Sequence, residues 1–223
     1  QVLKVPPLAA VDVAGGLRTA FSGKGIRLGV VAGGYGSESL LRLFEKEPGI
    51  DALAVPCGDP RTRECQVIVL PQLRSDVAPA ELAGVLEAFV LAGGGLIATH
   101  DAVGYRQMPR LLAAVCAGGS GHVREENWKV SAAHPVTQGL TPGAVLAQAY
   151  YDHIELQAGA AGTVVAVSEK SGRPVVVVGE PGKGRYVACG LLPGFSADAQ
   201  EAPPTADEAR LLLNAVRWCA RTK

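Results

Sequence analysis

Short apolar runs separated by glycine- and proline-rich breaks set the pattern of the first half of the chain. Residues 26–32 are almost wholly apolar, which is typical of a buried strand in a parallel sheet. A glycine-rich break at 33–36 precedes a predicted helix at 37–47. The same alternation predicts further strands at 51–55, 66–71 and 96–99, and further helices that begin at Pro79 and span 108–116. Such alternation indicates a parallel sheet with both faces covered.

The pattern changes after Gly118, where strand-like segments follow one another without helices. Apolar or alternating stretches predict strands at 123–130, 163–168, 174–179 and 185–190. The turn at 181–184 contains Gly-Lys, but it lacks the spacing of a phosphate-binding loop and no helix follows, so it indicates a hairpin. Thr205 and Glu208 have the spacing of a capping box, which predicts a last helix.

These elements together predict an α/β fold of the flavodoxin-like, doubly wound type. We expect a mostly parallel sheet with helices on both faces and an added β-hairpin extension. The length of 223 residues favours one domain over two. Residues 1–25, which include Pro6 and Pro7 and show no steady period, are expected to form an irregular lead-in to a single domain at 26–223.

The charge balance narrows the classes of partner. The chain has 21 basic and 21 acidic residues, and neither sign forms a long run. This excludes the electrostatic pattern of a protein that binds nucleic acid or a membrane, and it favours a small neutral or polar ligand. No apolar stretch has the length of a membrane span, so we expect a soluble protein and favour the cytoplasm over export, although the compartment is left open. A homodimer is expected only from the prevalence of dimers among soluble proteins.

The five cysteines carry no metal-binding or redox motif. None has the C-x-x-C spacing of a zinc knuckle or a redox site. Cys57 and Cys65 flank a short turn and would pair in an oxidising compartment, but the odd number of cysteines and the large core favour reduced thiols. Cys116 is interpreted as a small core residue within an apolar helix, and Trp128 as a core or interface residue.

Ligands of a doubly wound sheet bind beyond the carboxyl ends of its strands. Three segments occupy such places, at 33–36, 71–72 and 99–104. In the third, a strand turns at once into the sharp elbow that hydrolases use to present a nucleophile, and the residue at the turn is His100. Imidazole titrates near neutral pH, so His100 is a candidate general acid or base that Asp101 would tune. The alternative is a scaffold histidine that bonds only to backbone.

The order of motifs through the elbow resembles the class I glutamine amidotransferase-like superfamily. In that superfamily an Ile-Val-Leu-Pro strand end, an amphipathic helix, a glycine-rich break and an apolar strand precede a nucleophilic cysteine, whose place His100 takes here. Further segments narrow the resemblance to the ThuA-like family, associated with the utilisation of trehalose and other carbohydrates. Those segments are 93–100 (GGGLIATH), 134–140 (HPVTQGL), 151–155 (YDHIE), 182–185 (GKGR) and 213–218 (LNAVRW).

The resemblance covers residues 26–220 in outline and implies a flavodoxin-like fold with a sugar-related function. Without an elbow cysteine, no thiolate is available to form the thioester of glutamine hydrolysis, so amidotransferase activity is not expected. The family's glycine-histidine pair after the late strand is here Gly190-Leu191, so any role of that second histidine is missing.

We expect a pocket for a small carbohydrate-like ligand at the elbow. His100, Asp101 and Asp152 are the candidate catalytic residues. The candidate ligand-binding residues follow strands or fall in family-like segments: Gly34, Tyr35, Tyr105, His153 and Glu155. Tyr35 would stack on a sugar face, and the amides of the 33–36 turn would bind an anionic or hydroxyl-rich ligand, although a plain strand-to-helix turn is equally compatible. An isolated carboxylate is alternatively a surface or capping residue.

No cofactor is expected, but a divalent metal such as zinc is an alternative, with His100, Asp152 and His153 as mixed nitrogen and oxygen ligands. His134 precedes a proline and is interpreted as a structural residue whose ring braces Thr137 or the following backbone. Whether the chain is an enzyme is left open. The leading hypothesis is a ThuA-like protein that binds or transforms a sugar or keto-sugar derivative at the His100 pocket. The alternative is a non-catalytic ligand-binding or assembly module on the same scaffold.

Overall fold

The computed structural model describes residues 18–73 and 81–221. Most of the predicted lead-in, and Pro79 at the predicted start of a helix, lie outside the described residues. Residues 18–25 form bends without a helix or strand. They are fixed to the rest of the chain through Asp51, whose carboxylate pairs with Arg18 and accepts a hydrogen bond from the Ser22 hydroxyl at 2.8 Å.

Two sheets and three α-helices make up the described fold. The strands are β1 (Ile26–Val31), β2 (Ile50–Val55), β3 (Val67–Leu70), β4 (Gly95–Thr99), β5 (Cys116–Arg124), β6 (Asn127–Val130), β7 (Val145–Ala147), β8 (Asp152–Ala158), β9 (Thr163–Ser168), β10 (Pro174–Gly179) and β11 (Arg185–Cys189). The helices are α1 (Ser37–Glu45), α2 (Leu82–Leu91) and α3 (Ala206–Cys219).

The main sheet has nine strands in the order β2-β1-β3-β4-β11-β10-β9-β6-β7. The first five pair in parallel, and the other pairings are antiparallel. The parallel half confirms the flavodoxin-like α/β prediction, and the antiparallel half is the predicted extension. The turn at 181–184 joins β10 to β11 as a hairpin, as predicted. Because β1, β3 and β4 are parallel neighbours, the segments that follow them meet at one edge of the sheet.

Helices cover both faces of the main sheet, as predicted. On one face α1 and α3 contribute fully or almost fully buried side chains, among them Leu40, Phe44, Leu212 and Val216. On the other face α2 contributes Leu86 and Val90. Burial of each such side chain stabilises the fold by about 1.5–3 kcal/mol, so the two faces anchor the parallel strands firmly.

The strands β5 and β8 form a separate two-stranded antiparallel sheet, here called the ribbon. Ile154 of the ribbon is fully buried in the same core cluster as α2, and its N–H donates to the Gly190 carbonyl beyond β11 at 2.9 Å. A Cβ atom at Gly119 would come within 2.7 Å of Ile154 and Tyr105, so only glycine allows β5 to lie this close. The ribbon is therefore a packed layer over the carboxyl end of the parallel strands.

The predicted helix at 108–116 is wrong. Residues 109–112 have no regular secondary structure, residues 113–115 form a turn, and Cys116 begins β5. Pro109 lacks a backbone N–H and disfavours helical geometry at Met108, and Leu112 has a left-handed φ of 50°, which ends any helix. The apolar run is nevertheless core, because Leu111 and Cys116 are fully buried.

The single strand predicted at 123–130 is also wrong, since two strands in different sheets replace it. β5 ends at Arg124 and β6 begins at Asn127. Between them Glu125 is buried and its carboxylate accepts hydrogen bonds from the Ser168 hydroxyl and the Lys170 N–H, which fixes a turn there. The short strand β7 and the ribbon strand β8 were not predicted.

Several local predictions are confirmed. Thr205 and Glu208 form the capping box of α3, with both reciprocal hydrogen bonds present. His134 is structural: its Nδ1 accepts the Val136 N–H at 3.1 Å, and its backbone N–H donates to Thr137. Trp128 is fully buried, and the five cysteines are free thiols. Among residues 18–73 and 81–221, no helix is both long and apolar enough to cross a membrane.

Candidate functional site

The elbow predicted at 99–104 is present at the end of β4. His100 has a left-handed φ of 51°, a conformation that costs roughly 1 kcal/mol or more for a residue other than glycine. The turn closes where the Asp101 carbonyl accepts the Gly104 N–H at 3.1 Å, and Ala102 and Val103 anchor it by complete burial. The surrounding structure thus holds His100 in a strained position, which is typical of functional sites.

Four side chains converge at this elbow. His100 Nε2 lies 3.2 Å from Asp152 Oδ1, and His122 Nε2 lies 3.2 Å from Asp152 Oδ2. On the other side of the ring, His100 Nδ1 lies 3.1 Å from Asp101 Oδ1. We call His100, Asp101, His122 and Asp152 the elbow cluster. It joins β4 of the main sheet to both strands of the ribbon.

Burial and charge act in opposite directions on His100. Burial lowers an imidazole pKa, but the interactions with Asp101 and Asp152 outweigh it and raise the pKa of His100 above its ordinary value. The exposed fraction is 4% for His100 and 3% for Asp152, whereas the His122 side chain is 31% exposed. Access to the elbow cluster from solvent is therefore through His122.

Several buried polar atoms around the elbow have no hydrogen-bond partner among the described residues. They are Gln72 Oε1, Thr99 Oγ1, His100 Nδ1 and Asp101 Oδ1. The last two atoms are close, but their geometry is not that of a hydrogen bond. An unpaired buried polar atom costs about 1–3 kcal/mol, so native proteins concentrate such atoms only where a ligand, ion or water completes them. The elbow is therefore the candidate binding site.

Aromatic side chains form the surroundings of the elbow cluster. Tyr105 stacks on His122, with ring centroids 6.5 Å apart and an interplanar angle of 12°. Further rings follow in a connected row: Tyr35 packs edge-on against Phe195 at 5.3 Å, Phe195 against Tyr150 at 4.9 Å, and Tyr150 contacts Tyr151. Tyr35 and Tyr105, both proposed as ligand-binding residues from the sequence, thus lie in aromatic groups that are only partly buried.

The glycine turn at 33–36 is tied to its neighbours. A Cβ atom at Gly34 would come within 2.9 Å of the Gln72 carbonyl oxygen, which accepts the Tyr35 N–H at the same distance. The first free amides of α1 donate to the Glu201 carboxylate, from Ser39 N at 2.8 Å and Glu38 N at 3.4 Å. A protein carboxylate therefore occupies the helix N-terminus where the sequence suggested an anionic ligand.

His153 and Glu155 belong to a different set of contacts, because successive residues of a strand point to opposite faces. His153 is fully buried and its Nε2 lies 3.7 Å from Glu125 Oε2, while Gln148 approaches its Nδ1 at 3.4 Å. Burial lowers the pKa of His153, although the charges of Glu125 and Glu155 oppose the shift. Glu155 accepts hydrogen bonds from Ser171 and Arg173. We call Glu125, Gln148, His153 and Ser168 the buried polar cluster.

The structure thus brings together the three candidate catalytic residues and adds His122, which sequence analysis missed. The ribbon places His122, rather than His153, beside His100 and Asp152. The segment Gly121-His122-Val123-Arg124 alternates polar and apolar residues, and this was the only signal that a histidine faced one side of a strand.

Two open depressions on the described surface lie elsewhere. One, of about 320 Å³, is lined by residues that include Gly25, Gly49 and Arg217, and the other, of about 500 Å³, by residues between Ala133 and Leu140. Neither contains a member of the elbow cluster or a convergent set of charged groups. We place the candidate site by its chemistry, at the elbow.

The cysteine nearest to the elbow along the sheet is no substitute nucleophile. Cys189 of β11 pairs in register with Thr99, directly before His100. It is buried, and burial raises its pKa to about 12, so it remains a neutral thiol. The chemistry of this elbow is therefore that of imidazole and carboxylate groups.

Comparison with solved structures supports the fold. A putative ThuA-like protein from Bacteroides uniformis ATCC 8492 is 15% identical over 92% of this chain and 95% of its own, with a TM-score of 0.61. A cytoplasmic protein from Salmonella typhimurium is 17% identical over 88% of this chain and 98% of its own, with a TM-score of 0.58. A β-galactosidase from Bacillus circulans sp. alkalophilus is 13% identical over 89% of this chain but 31% of its own, with a TM-score of 0.58.

A search among curated proteins gives no match. The profile of the ThuA family, described as trehalose utilisation, matches residues 53–219. The matched region contains the elbow, the ribbon and every member of the elbow cluster. The chain therefore belongs to the ThuA family.

Proposed function

We propose that this ThuA protein binds a sugar or keto-sugar derivative at the elbow cluster and transforms it there. The observation that carries the proposal is the group of unpaired buried atoms at Gln72, Thr99, His100 and Asp101. Hydroxyl and carbonyl groups of a sugar both donate and accept hydrogen bonds, so a sugar can complete such a mixed set. The trehalose description of the family agrees with this ligand class.

The aromatic side chains near the elbow cluster suit a sugar, as its unpaired polar atoms do. The ring of Tyr105 and the row of rings from Tyr35 to Tyr151 offer flat apolar faces beside polar groups. Sugar rings have apolar C–H faces and polar edges, so they pack on aromatic rings while their hydroxyls reach carboxylates. The candidate ligand-binding residues Tyr35 and Tyr105 act here through their ring faces.

A keto-sugar gives the cluster a specific task. A C–H bond next to a carbonyl ionises when a base removes the proton and an electrophile stabilises the oxygen that receives the electron pair. In this proposal Asp152 takes the proton. The N–H at His100 Nε2, which lies 3.2 Å from Asp152 Oδ1, donates to the oxygen and stabilises it. Asp101 holds the orientation of the His100 ring from its other nitrogen. Gly34 supports the site by its close packing on Gln72, and His153 and Glu155 fix β8 from its other face.

Calorimetric titration with trehalose and with a keto derivative of trehalose tests the proposal. We expect saturable binding of at least one of the two, weakened at least tenfold by Asp152→Asn. Loss of the C–H signal of the keto-sugar in D₂O, followed by NMR, is the expected sign of proton removal. His134→Gln, remote from the elbow, is the matched control. Absence of sugar binding to both the zinc-loaded and the chelator-treated chain would refute the proposal.

A second function, that of a non-catalytic module, is favoured by one comparison. The β-galactosidase structure resembles this chain over only 31% of its own length, so the same fold occurs as one part of a larger enzyme. A module of this kind would bind a sugar or a partner without turnover. Its expected result is sugar binding that survives His100→Asn, with no exchange of the C–H proton in D₂O.

A further inference from the structure

We propose that His100, His122 and Asp152 bind one zinc ion, through the Nε2 atoms of both imidazoles and the carboxylate between them. This goes beyond the proposed function, because the metal site stands even if no sugar binds. The observation that points to it is the convergence of three ligand atoms, all within 4.8 Å of one another, at the end of β4.

The spacing of the ligand atoms suits zinc. Each imidazole Nε2 lies 3.2 Å from a different oxygen of Asp152. In a tetrahedral site with metal–ligand bonds of about 2.0–2.1 Å, neighbouring ligand atoms are about 3.3 Å apart. Small side-chain adjustments would therefore place a cation between the three groups. Two histidines and one carboxylate also form the protein part of many catalytic zinc sites, where a fourth position stays open.

Asp101 supplies the outer contact that such a site needs. A metal-binding histidine usually directs its other ring nitrogen to a carboxylate, which fixes the tautomer and the ring orientation. His100 Nδ1 lies 3.1 Å from Asp101 Oδ1, on the side of the ring away from Asp152. Asp101 is itself approached by Gln72 Nε2 at 3.4 Å. With zinc on Nε2, Nδ1 would carry the proton and face Asp101, and a small rotation of the ring would bring these two unpaired atoms into a hydrogen bond.

Without a cation the same arrangement is poorly balanced. A neutral imidazole has one N–H, so a His100 that donates to Asp152 turns a lone pair towards Asp101, and the reverse tautomer turns a lone pair towards Asp152. Among residues 18–73 and 81–221, neither aspartate forms an ion pair with a lysine or arginine. Two buried carboxylates need positive charge nearby. A divalent ion supplies this positive charge. In the alternative, additional protons on the histidines or aspartates would have to balance the two carboxylates.

The open coordination position faces solvent and the aromatic surroundings. His122 is the exposed ligand, and Tyr105 stacks on its ring. A sugar hydroxyl or carbonyl that entered beside Tyr105 would reach the metal at this open position. In the zinc-loaded chain zinc would be the electrophile and Asp152 a ligand, so the proton-accepting role of Asp152 in the proposed function applies to the metal-free chain.

Zinc titration of the chelator-treated full chain, followed by calorimetry and elemental analysis, tests the proposal. We expect one zinc per chain. His122→Gln is the main variant because this side chain is partly exposed, and we expect at least tenfold weaker zinc binding. His100→Asn keeps a residue that tolerates the left-handed backbone and should give the same loss. Asp101→Asn should weaken binding by about 10–100-fold through the outer contact.

Two controls make the test decisive. His134→Gln removes a histidine outside the cluster and should leave zinc affinity unchanged. Cobalt in place of zinc should give the visible bands of a tetrahedral site without thiolate charge transfer. A strong thiolate band would place the metal at a cysteine and overturn the proposal. So would absence of stoichiometric zinc, or zinc affinity that His122→Gln leaves intact.

Sugar titrations on the same samples separate this proposal from the proposed function. Stoichiometric zinc lost in His122→Gln, with no sugar binding, supports the metal site and refutes the sugar function alone. Sugar binding to a chain that takes up no zinc supports the sugar function and refutes the metal site alone.

Discussion

The two faces of strand β8 carry the same residue types but differ in the partners of their carboxylates and in their exposure to solvent. Among the described residues, the Asp152 carboxylate has only the two imidazoles as side-chain partners, and unpaired buried atoms occur on both faces, at His100 Nδ1 and at His153 Nε2. On the face of His153, both oxygens of Glu125 accept hydrogen bonds, from Ser168 and Lys170. The elbow cluster has one member open to solvent, whereas the buried polar cluster has none.

The contrast between the two clusters indicates how a ligand-binding site can be distinguished from a structural support when both contain histidine and carboxylate groups. A support pairs its buried carboxylate with hydrogen-bond donors of the chain, as Glu125 does with Ser168 and Lys170, because an unpaired buried charge costs stability. A binding site leaves at least one of its polar groups accessible to a ligand, as His122 is in the elbow cluster. Sequence spacing cannot distinguish Asp152 from His153, since they are adjacent, but the partners of the carboxylate on each face and the exposure of His122 do.

The largest expected effect concerns the support. Glu125→Ala removes the acceptor of two hydrogen bonds to a buried charge and leaves their donors unpaired, so we expect the free energy of unfolding to fall by about 3–5 kcal/mol. Urea unfolding measures this. The adjacent exposed residue gives the matched control, and Glu126→Ala should change stability by less than about 0.5 kcal/mol. A loss as small as that of the control would remove the distinction between the two faces.

The second prediction is the opposite result at the elbow cluster, with little change in stability and a large loss of sugar affinity. Asp152→Asn should change the free energy of unfolding of the metal-free chain by less than about 1 kcal/mol, because it removes a buried charge that no lysine or arginine pairs with among the described residues. Sugar affinity should fall by about 10–100-fold, the equivalent of one hydrogen bond to a charge. Calorimetry and urea unfolding are compared on the same sample, with the exposed Asp198→Asn as control. Severe destabilisation with unchanged affinity would make Asp152 a support like Glu125.

A smaller effect is expected at the aromatic wall. Tyr105→Ala removes the ring, stacked on His122, on which the proposed sugar would pack, and we expect that sugar contact to contribute about 0.5–1.5 kcal/mol, as other aromatic contacts do. Sugar affinity should therefore fall by about 3–10-fold, while Tyr105→Phe keeps the ring and the affinity. Titration of both variants measures the ring contribution. Equal losses in the two variants would show that the hydroxyl, and not the ring face, contacts the ligand.

The smallest effect uses His134, which belongs to neither face of β8, as the reference for pH dependence. Burial, and the charge of Arg185, lower the pKa of His134, while Glu180 opposes the shift. The unfolded chain therefore takes up this proton first, so its contribution to stability is complete above about pH 6.5 and declines as the pH falls below it.

Protonation would also break the hydrogen bond from Val136 N–H to His134 Nδ1. The half-exposed ring limits the loss to about 1 kcal/mol or less. Urea unfolding at several pH values, compared with His134→Gln, measures it. A variant with the same pH dependence as the wild type would assign the effect to another histidine.

Much of the main sheet could be predicted, because its strands and helices carry their own local signals. The apolar runs at β1 to β4 and β9 to β11, the glycine breaks after them and the Thr205 capping box are all read within a few residues. The elbow was located for the same reason, since strand and turn are adjacent in the chain. His100 and Asp101 followed directly from it.

The ribbon could not be predicted from the sequence in this way, because the contacts that determine β5 and β8 are between residues far apart in the chain. The helical spacing of Leu111, Leu112, Val115 and Cys116 is genuine, but Pro109 and the left-handed Leu112 override it. Gly119, one of the glycines that weaken the strand pattern of β5, is required by the close packing of this strand on Tyr105 and Ile154. His122 was therefore missed, and His153 was preferred because it adjoins Asp152 in sequence.

The ribbon has a consequence for the connectivity of the folded chain. The three proposed zinc ligands come from segments far apart in sequence, one in the elbow directly after β4 and one on each ribbon strand. A metal held by all three would act as a cross-link between the ribbon and the main sheet, and would close two long loops in the way that a disulfide does. Loading the site would then tether the ribbon, and chelation would release it, with slower and faster amide exchange in β5 and β8 as the respective signatures.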